Sequence, residues 1–280
     1  MKLSYKLISM KDLKSLCTFL FLFFFCINFK SRAQEVKYKL QSNISYSQNQ
    51  DDYSKERCKL DVYYPENKKD FITVVWFHGG GLTGGNKEIP AYLKDKNIAV
   101  VGVGYRFSPK AKVLEIINDA ADAVKWTFDN IEKMGGSKKK IVVAGYSAGA
   151  YLSLMLGLNQ EYLNKRDLNP KDLFGVVSFS AQTITHYTAR KEKGLDELHP
   201  TIDELAPLYW VRKDIPRMLL LTGGREMEMM GRYEENAYLL RMLKLHGNAN
   251  VELFELEGYG HNMDYPAYPL LINVLDKWSK

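Results

Sequence analysis

Along the chain the rhythm of apolar side chains changes near residue 70. Before it, residues 36–46 and 59–64 alternate polar and apolar positions, which predicts antiparallel edge strands with one face wet. After it, the runs 71–77, 98–103, 141–144, 176–179, 218–221 and 251–256 read as short apolar strands of the kind a sheet covers on both faces. Between these runs, residues 113–134, 148–157 and 233–246 repeat their apolar positions at helical spacing. Such alternation predicts one α/β domain: a mostly parallel central sheet with helices on both faces. Residues 180–215 follow neither period. This polar and aromatic stretch is expected as a short lid-like insertion over the carboxyl ends of the strands, where α/β enzymes bind their ligands. Neither a repeat nor a low-complexity linker interrupts the sequence after residue 34.

The length, 280 residues, is enough for one large core, and the composition (46% hydrophobic, 26% charged) is that of a globular protein. A formal charge of +6 looks basic until it is located. Six of the 39 basic and one of the 33 acidic side chains fall in residues 1–33, which leaves 33 against 32, a net of +1. The folded part therefore lacks the basic stripe a nucleic-acid partner would require, and none is expected. Lys2, Lys6, Lys11 and Lys14 precede the apolar run 16–27, too short for a comfortable membrane span, and Ser31-Arg32-Ala33 offers small residues at a cleavage site. Residues 1–33 thus read as a signal peptide. The mature chain, 34–280, is expected outside the cytoplasm, secreted or periplasmic, with no membrane attachment after cleavage. Removing that segment takes Cys17 and Cys26 with it and leaves Cys58 alone, unable to form an internal disulfide or hold zinc. A buried strand-flanking thiol is its expected role, and no metal site is called for.

Chemistry enters with Gly145-Tyr146-Ser147-Ala148-Gly149, which ends one apolar strand and opens a helix. A serine hydroxyl becomes a useful nucleophile when a sharp strand-to-helix turn exposes it and a base takes its proton. His78-Gly79-Gly80-Gly81, directly after the strand 71–77, supplies a loop whose backbone N–H groups can face a developing oxyanion. The expected donors are Gly80, Gly81 and Ala148. No Gly-Lys-Ser/Thr follows, which argues against a phosphate loop, and His78 is read as holding the loop.

Taken in order, His78-Gly79-Gly80-Gly81, Tyr105-Arg106-Phe107-Ser108-Pro109, Asp119-Ala120 with Trp126, and Gly145-Tyr146-Ser147-Ala148-Gly149 resemble two branches of the α/β hydrolases. These are the hormone-sensitive-lipase-like and the feruloyl/acetylxylan-esterase-like (BD-FAE-like) branches, and the resemblance covers roughly residues 55–280. It implies the α/β-hydrolase fold, acyl-ester hydrolysis without a cofactor, and a triad in the chain order serine, acid, histidine. On that order the base is His261, in the loop Gly258-Tyr259-Gly260-His261-Asn262-Met263 between the last strand and a C-terminal helix. The resemblance puts the acid in the loop after 218–221, where Thr222-Gly223-Gly224-Arg225-Glu226 makes Glu226 the expected residue. Glu228 is the alternative if the loop is extended, and Asp264 lies too close in sequence to His261 to orient it. Gln182, His186, Tyr187 and Trp210 in the insertion, and Met227, Met229 and Met230, are open between substrate contact and packing. Arg106 is read as an ion-pair partner for Asp119.

The resulting expectation is an exported serine carboxylesterase acting through an acyl-enzyme on a small-molecule or carbohydrate ester, including acetylated or feruloylated glycans. Its oligomeric state is not readable from the sequence. An arylformamidase or amidase using the same triad, and a catalytically inactive binding protein of this fold, are the alternatives. An exopeptidase is disfavoured because no propeller-sized second domain is present.

Overall fold

The computed structural model describes residues 35–49 and 51–280, so the signal-peptide reading of residues 1–33 lies outside the described residues. In chain order the elements are β1 (Tyr38–Ser45), α1 (Asp52–Arg57), β2 (Lys59–Pro65), β3 (Phe71–Phe77), β4 (Ala99–Val103), α2 (Val113–Asn130), β5 (Gly136–Tyr146), α3 (Ala148–Leu158) and α4 (Glu161–Asn164). They continue with β6 (Gly175–Phe179), α5 (Tyr187–Glu192), β7 (Met218–Gly223), α6 (Arg232–Leu245), β8 (Val251–Leu256) and α7 (Asp264–Ser279). The strands form one eight-stranded sheet in the order β1-β2-β4-β3-β5-β6-β7-β8. Pairing is antiparallel from β1 through β2 to β4 and parallel from there to β8.

Two expectations shift. β2 is not an edge strand, because it pairs with β1 on one side and β4 on the other. At the far end β8 carries Glu252 and Glu255 and is only half-buried, as an edge strand with one partner can be.

The period of two in the central strands divides the core between the two faces. In β3, Val75 and Phe77 face a layer built with α2, α3 and α6, while Val74 and Trp76 face Ala267, Leu271, Val274 and Leu275 of α7. Every residue of α3 is buried. That helix is apolar on all sides because it lies between the sheet and α2, with the insertion over its start. Cys58 is a buried thiol whose pKa is pushed up to about 12 by burial, which keeps it protonated and unreactive.

The insertion is anchored as a fixed wall. Thr188 Oγ1 donates to the Gly81 carbonyl (2.6 Å), Ser108 Oγ to Glu192 (2.8 Å) and the Tyr151 hydroxyl to the Leu205 carbonyl (2.7 Å). These contacts hold Thr188, Glu192 and Leu205 in place near the carboxyl ends of the strands, while residues 193–200 are exposed.

Candidate active site

Ser147 stands between β5 and α3 with φ 54° and ψ −114°, a conformation that L residues rarely adopt. Two backbone hydrogen bonds hold it there, Ser147 N–H to the Phe179 carbonyl (2.7 Å) and Tyr151 N–H to the Ser147 carbonyl (3.0 Å). Gly149 is required because a Cβ there would lie 2.0 Å from the Phe77 carbonyl oxygen, inside the strand that α3 crosses. Sequence and geometry agree on this turn.

His261 Nε2 lies 3.0 Å from Ser147 Oγ, the contact a base needs to take the hydroxyl proton. Its ring stacks on Tyr146 at 5.2 Å, and the Tyr146 hydroxyl donates to the His261 carbonyl (2.9 Å). On the other side of the ring, Nδ1 meets Glu228 Oε1 at 2.9 Å.

The carboxylate in that position is Glu228, and the expectation of Glu226 is corrected. After β7 the chain does not run out extended but winds one tight turn. The N–H groups of Met227 and Glu228 both donate to the Gly224 carbonyl (2.9 and 2.8 Å). The turn throws Arg225, Glu226 and Met227 into solvent, where Arg225 pairs with Glu255 (2.8 Å), and returns Glu228 to the end of the sheet. There Glu228 accepts from Gly223 N–H (3.0 Å), Ser180 Oγ (2.8 Å) and Met229 N–H (3.0 Å) as well as facing His261. Burial alone would raise the Glu228 pKa. The hydrogen bonds to His261, Gly223, Ser180 and Met229 outweigh it and hold the carboxyl down to about 2, so it is ionised at any working pH.

Ser180 escaped sequence reasoning. Its hydroxyl sits 2.8 Å from Glu228 Oε2 and 2.9 Å from His261 Nδ1, and its backbone, at φ 56°, is held by an N–H bond to the Leu221 carbonyl (2.7 Å). A single serine after an apolar strand carries no signal that marks it. Arg232 escaped likewise: the first residue of α6, it is 1% exposed, donates from Nη1 to the Ser180 carbonyl, and places Nη1 3.5 Å from Ser147 Oγ.

Around the serine, Gly80 (φ 113°) and Gly81 (φ 63°) turn the loop after β3 with dihedrals suited to glycine. Among the described residues the N–H groups of Gly80, Gly81 and Ala148 donate to no backbone carbonyl, which leaves them free for an oxyanion. His78 supports that loop from behind: its ring is buried against Tyr105 at 4.3 Å, and burial lowers its pKa to about 4, so it stays neutral. The Tyr105 hydroxyl donates to the His78 carbonyl (2.6 Å). Arg106 forms the expected ion pair, its Nη2 2.7 Å and its Nε 2.9 Å from the two oxygens of Asp119.

Of the insertion residues, Gln182, His186 and Tyr187 gather beside the glycine loop. Gln182 Oε1 accepts from Tyr187 N–H (2.9 Å), His186 stacks on Tyr187 (4.5 Å), and a Cβ on Gly81 would strike the Tyr187 hydroxyl. Trp210 instead donates its indole N–H to the Glu204 carbonyl (2.8 Å), and Met227 is exposed. No group of His, Cys, Asp and Glu among the described residues could hold a metal ion.

Comparison with known proteins finds similarity to esterases. The chain is 24% identical over 240 residues to esterase LipC of Mycobacterium tuberculosis, an alignment covering 73% of this chain and 57% of LipC. It is 33% identical over 101 residues to carboxylesterase NlhH of the same species, covering 34% of this chain and 32% of NlhH. The chain thus spans little more than half of LipC. Among solved structures, a truncated carbohydrate esterase from gut microbiota superposes with a TM-score of 0.70 at 18% identity, over 88% of this chain and 98% of that one. Esterase B from Lactobacillus rhamnosis does so at 0.68 and 18% identity, over 96% and 97%. These two establish a shared α/β-hydrolase fold. The BD-FAE family model matches residues 60–229, from β2 through the glycine loop and the serine turn to Glu228, and the chain belongs to the BD-FAE family.

Proposed function

We propose that the protein is a serine carboxylesterase, with Ser147 as nucleophile, His261 as base and Glu228 as the orienting acid. The observation that carries this reading is the unbroken line of contacts, Ser147 Oγ to His261 Nε2 at 3.0 Å and His261 Nδ1 to Glu228 Oε1 at 2.9 Å. In the first step Ser147 Oγ attacks the ester carbonyl and His261 Nε2 takes its proton. The oxyanion that forms is met by the N–H groups of Gly80, Gly81 and Ala148. His261 then protonates the departing alcohol oxygen, leaving an acyl-serine, and a water activated by the same nitrogen hydrolyses it. Throughout, the Glu228 carboxylate holds the tautomer with the proton on Nδ1 and stabilises the imidazolium.

Carbohydrate esters, acetylated or feruloylated, are the proposed substrates. The relatives' names support ester hydrolysis, the carbohydrate-esterase neighbour supports the choice of a carbohydrate ester, and the signal-like segment 1–33 supports action outside the cytoplasm. Fluorophosphonate labelling of the protein and of Ser147→Ala tests the nucleophile. Turnover of p-nitrophenyl esters, acetylated xylan and an N-formyl aryl amide tests the class. Hydrolysis of the amide in preference to every ester would replace the esterase reading with an arylformamidase.

A further inference from the structure

The one charged side chain of the site that this mechanism leaves unused is Arg232. Its position runs against three ordinary preferences at once. The guanidinium is buried, with the residue 1% exposed, although a charge taken from water needs a partner. No carboxylate lies within ion-pair distance of it among the described residues. Among the described residues its guanidinium hydrogen bonds run only from Nη1, to the Ser180 carbonyl and, at 3.5 Å, to Ser147 Oγ, and its Nε is a buried donor without an acceptor. Finally, it occupies the first position of the 14-residue helix α6, the end where the helix dipole disfavours a cation.

The neighbouring acids are committed elsewhere. Glu228 serves His261, Ser180 and Gly223, and Glu235 accepts from the N–H groups of Thr183 (2.7 Å) and Ile184 (3.3 Å). Charges of the same sign stand nearby: Arg190 and Arg232 together oppose protonation of the buried His186, whose pKa burial already lowers. The backbone is arranged to bring Arg232 inward, since Met230 (φ 54°) and Gly231 (φ 67°) are consecutive left-handed residues immediately before it. Polar atoms of the insertion also stand buried without partners, Gln182 Nε2 and His186 Nε2 among them. Glu235 and Glu228 act on Arg232 only through space, so a guanidinium held dry beside the nucleophile with no carboxylate in contact among the described residues is the complement of an anion that arrives with the substrate.

We propose that Arg232 is a specificity residue that pairs with a negatively charged substituent close to the scissile carbonyl, so that the preferred substrates are anionic esters. The proposal rests on the esterase reading above and deepens it. In the carbohydrate setting such a substrate is an acylated sugar acid. The charge can sit on the acyl or on the alcohol side, and two pairs that differ only by a carboxylate in place of a methyl separate the two. Monomethyl succinate against methyl butyrate places it on the acyl group; 2-acetoxypropanoate against isopropyl acetate places it on the alcohol.

At pH 7.5, where these carboxylates are ionised, the purified protein is expected to favour the anionic member of one pair by about tenfold or more in kcat/KM, the scale of a charge-assisted hydrogen bond. Arg232→Met should bring that ratio to about one, whatever happens to the rate with the neutral ester. Arg232→Lys, which keeps a charge and the stem, should lower the ratio severalfold and serves if the Met variant does not fold. Ratios below tenfold in both pairs, or a ratio undiminished in the variants, would overturn the proposal. Fluorophosphonate labelling of Ser147 separates the two failures. A protein that labels and hydrolyses methyl butyrate without an anionic preference removes the role of Arg232 alone. One that neither labels nor hydrolyses any member of the pairs removes the esterase reading and this inference with it.

Discussion

Exchanging Glu228 for glutamine changes little in shape and nearly everything in charge. The side chain has no exposed surface and receives hydrogen bonds from Gly223 N–H, Ser180 Oγ and Met229 N–H while facing His261 Nδ1. Its carboxyl pKa falls from 4.5 to about 2 on folding, a difference of about 3 kcal/mol in favour of the folded, ionised form. Because the folded value lies below the unfolded one, this stabilisation is complete above pH 4.5 or so and is lost as the pH falls toward 2. At pH 3 about 2 kcal/mol of it should be gone.

Glu228→Gln removes the term, and the amide presents an NH₂ group where only an acceptor fits. Urea unfolding should find the variant less stable by up to about 3 kcal/mol at pH 7. The gap to the parent should narrow by about 2 kcal/mol at pH 3. Turnover should drop by as much as about 10⁴-fold, since the imidazole loses the group that fixes its tautomer and offsets its charge. The solvent-exposed Glu226, changed to glutamine in parallel, should leave both quantities within about 0.5 kcal/mol and twofold. Collapse of the Glu226 variant with an active Glu228 variant, or a stability gap that does not narrow in acid, would refute the reasoning.

Ser147→Ala should fold normally, lose several orders of magnitude in turnover and take no fluorophosphonate label, read by mass spectrometry of the labelled peptide. Gly149→Ala forces a Cβ to within 2.0 Å of the Phe77 carbonyl and should cost about 3 kcal/mol or more in denaturant unfolding; a near-neutral result would mean α3 can back away from β3. His78 is buried neutral, with a pKa of about 4 against an ordinary 6.5, so the unfolded chain binds a proton in that window that the folded chain refuses. Stability should therefore fall by up to about 3 kcal/mol between pH 6.5 and 4, and the slope should flatten in His78→Gln. Intact mass of the exported protein should place its first residue at or near Gln34, and retention of residues 1–33 would contradict signal cleavage.

What the sequence made legible follows from how each feature is encoded. The run 71–77 could be read because burial on both faces favours apolar residues at nearly every position, Thr73 excepted, and β3 has the same bounds. The serine turn could be read because close backbone approach at Gly149 admits no other residue, a constraint written in one letter. His261 was expected from the chain order that the resemblance implies, and its ring lies between Ser147 Oγ and Glu228 Oε1. The carboxylate that faces His261 was placed two residues too early for a different reason. Glu226 and Glu228 are the same residue type in the same loop, and what separates them is a turn closed by the Gly224 carbonyl, a backbone event with no letter of its own. Ser180 and Arg232 were invisible for the same cause. A serine after a strand and an arginine at a helix start are ordinary surface residues until the fold brings Phe179, Leu221 and Met230 into position around them. Apolar burial is specified residue by residue, whereas the direction of a polar side chain is settled by the backbone that carries it, and the parts of this site that escaped prediction are all of the second kind.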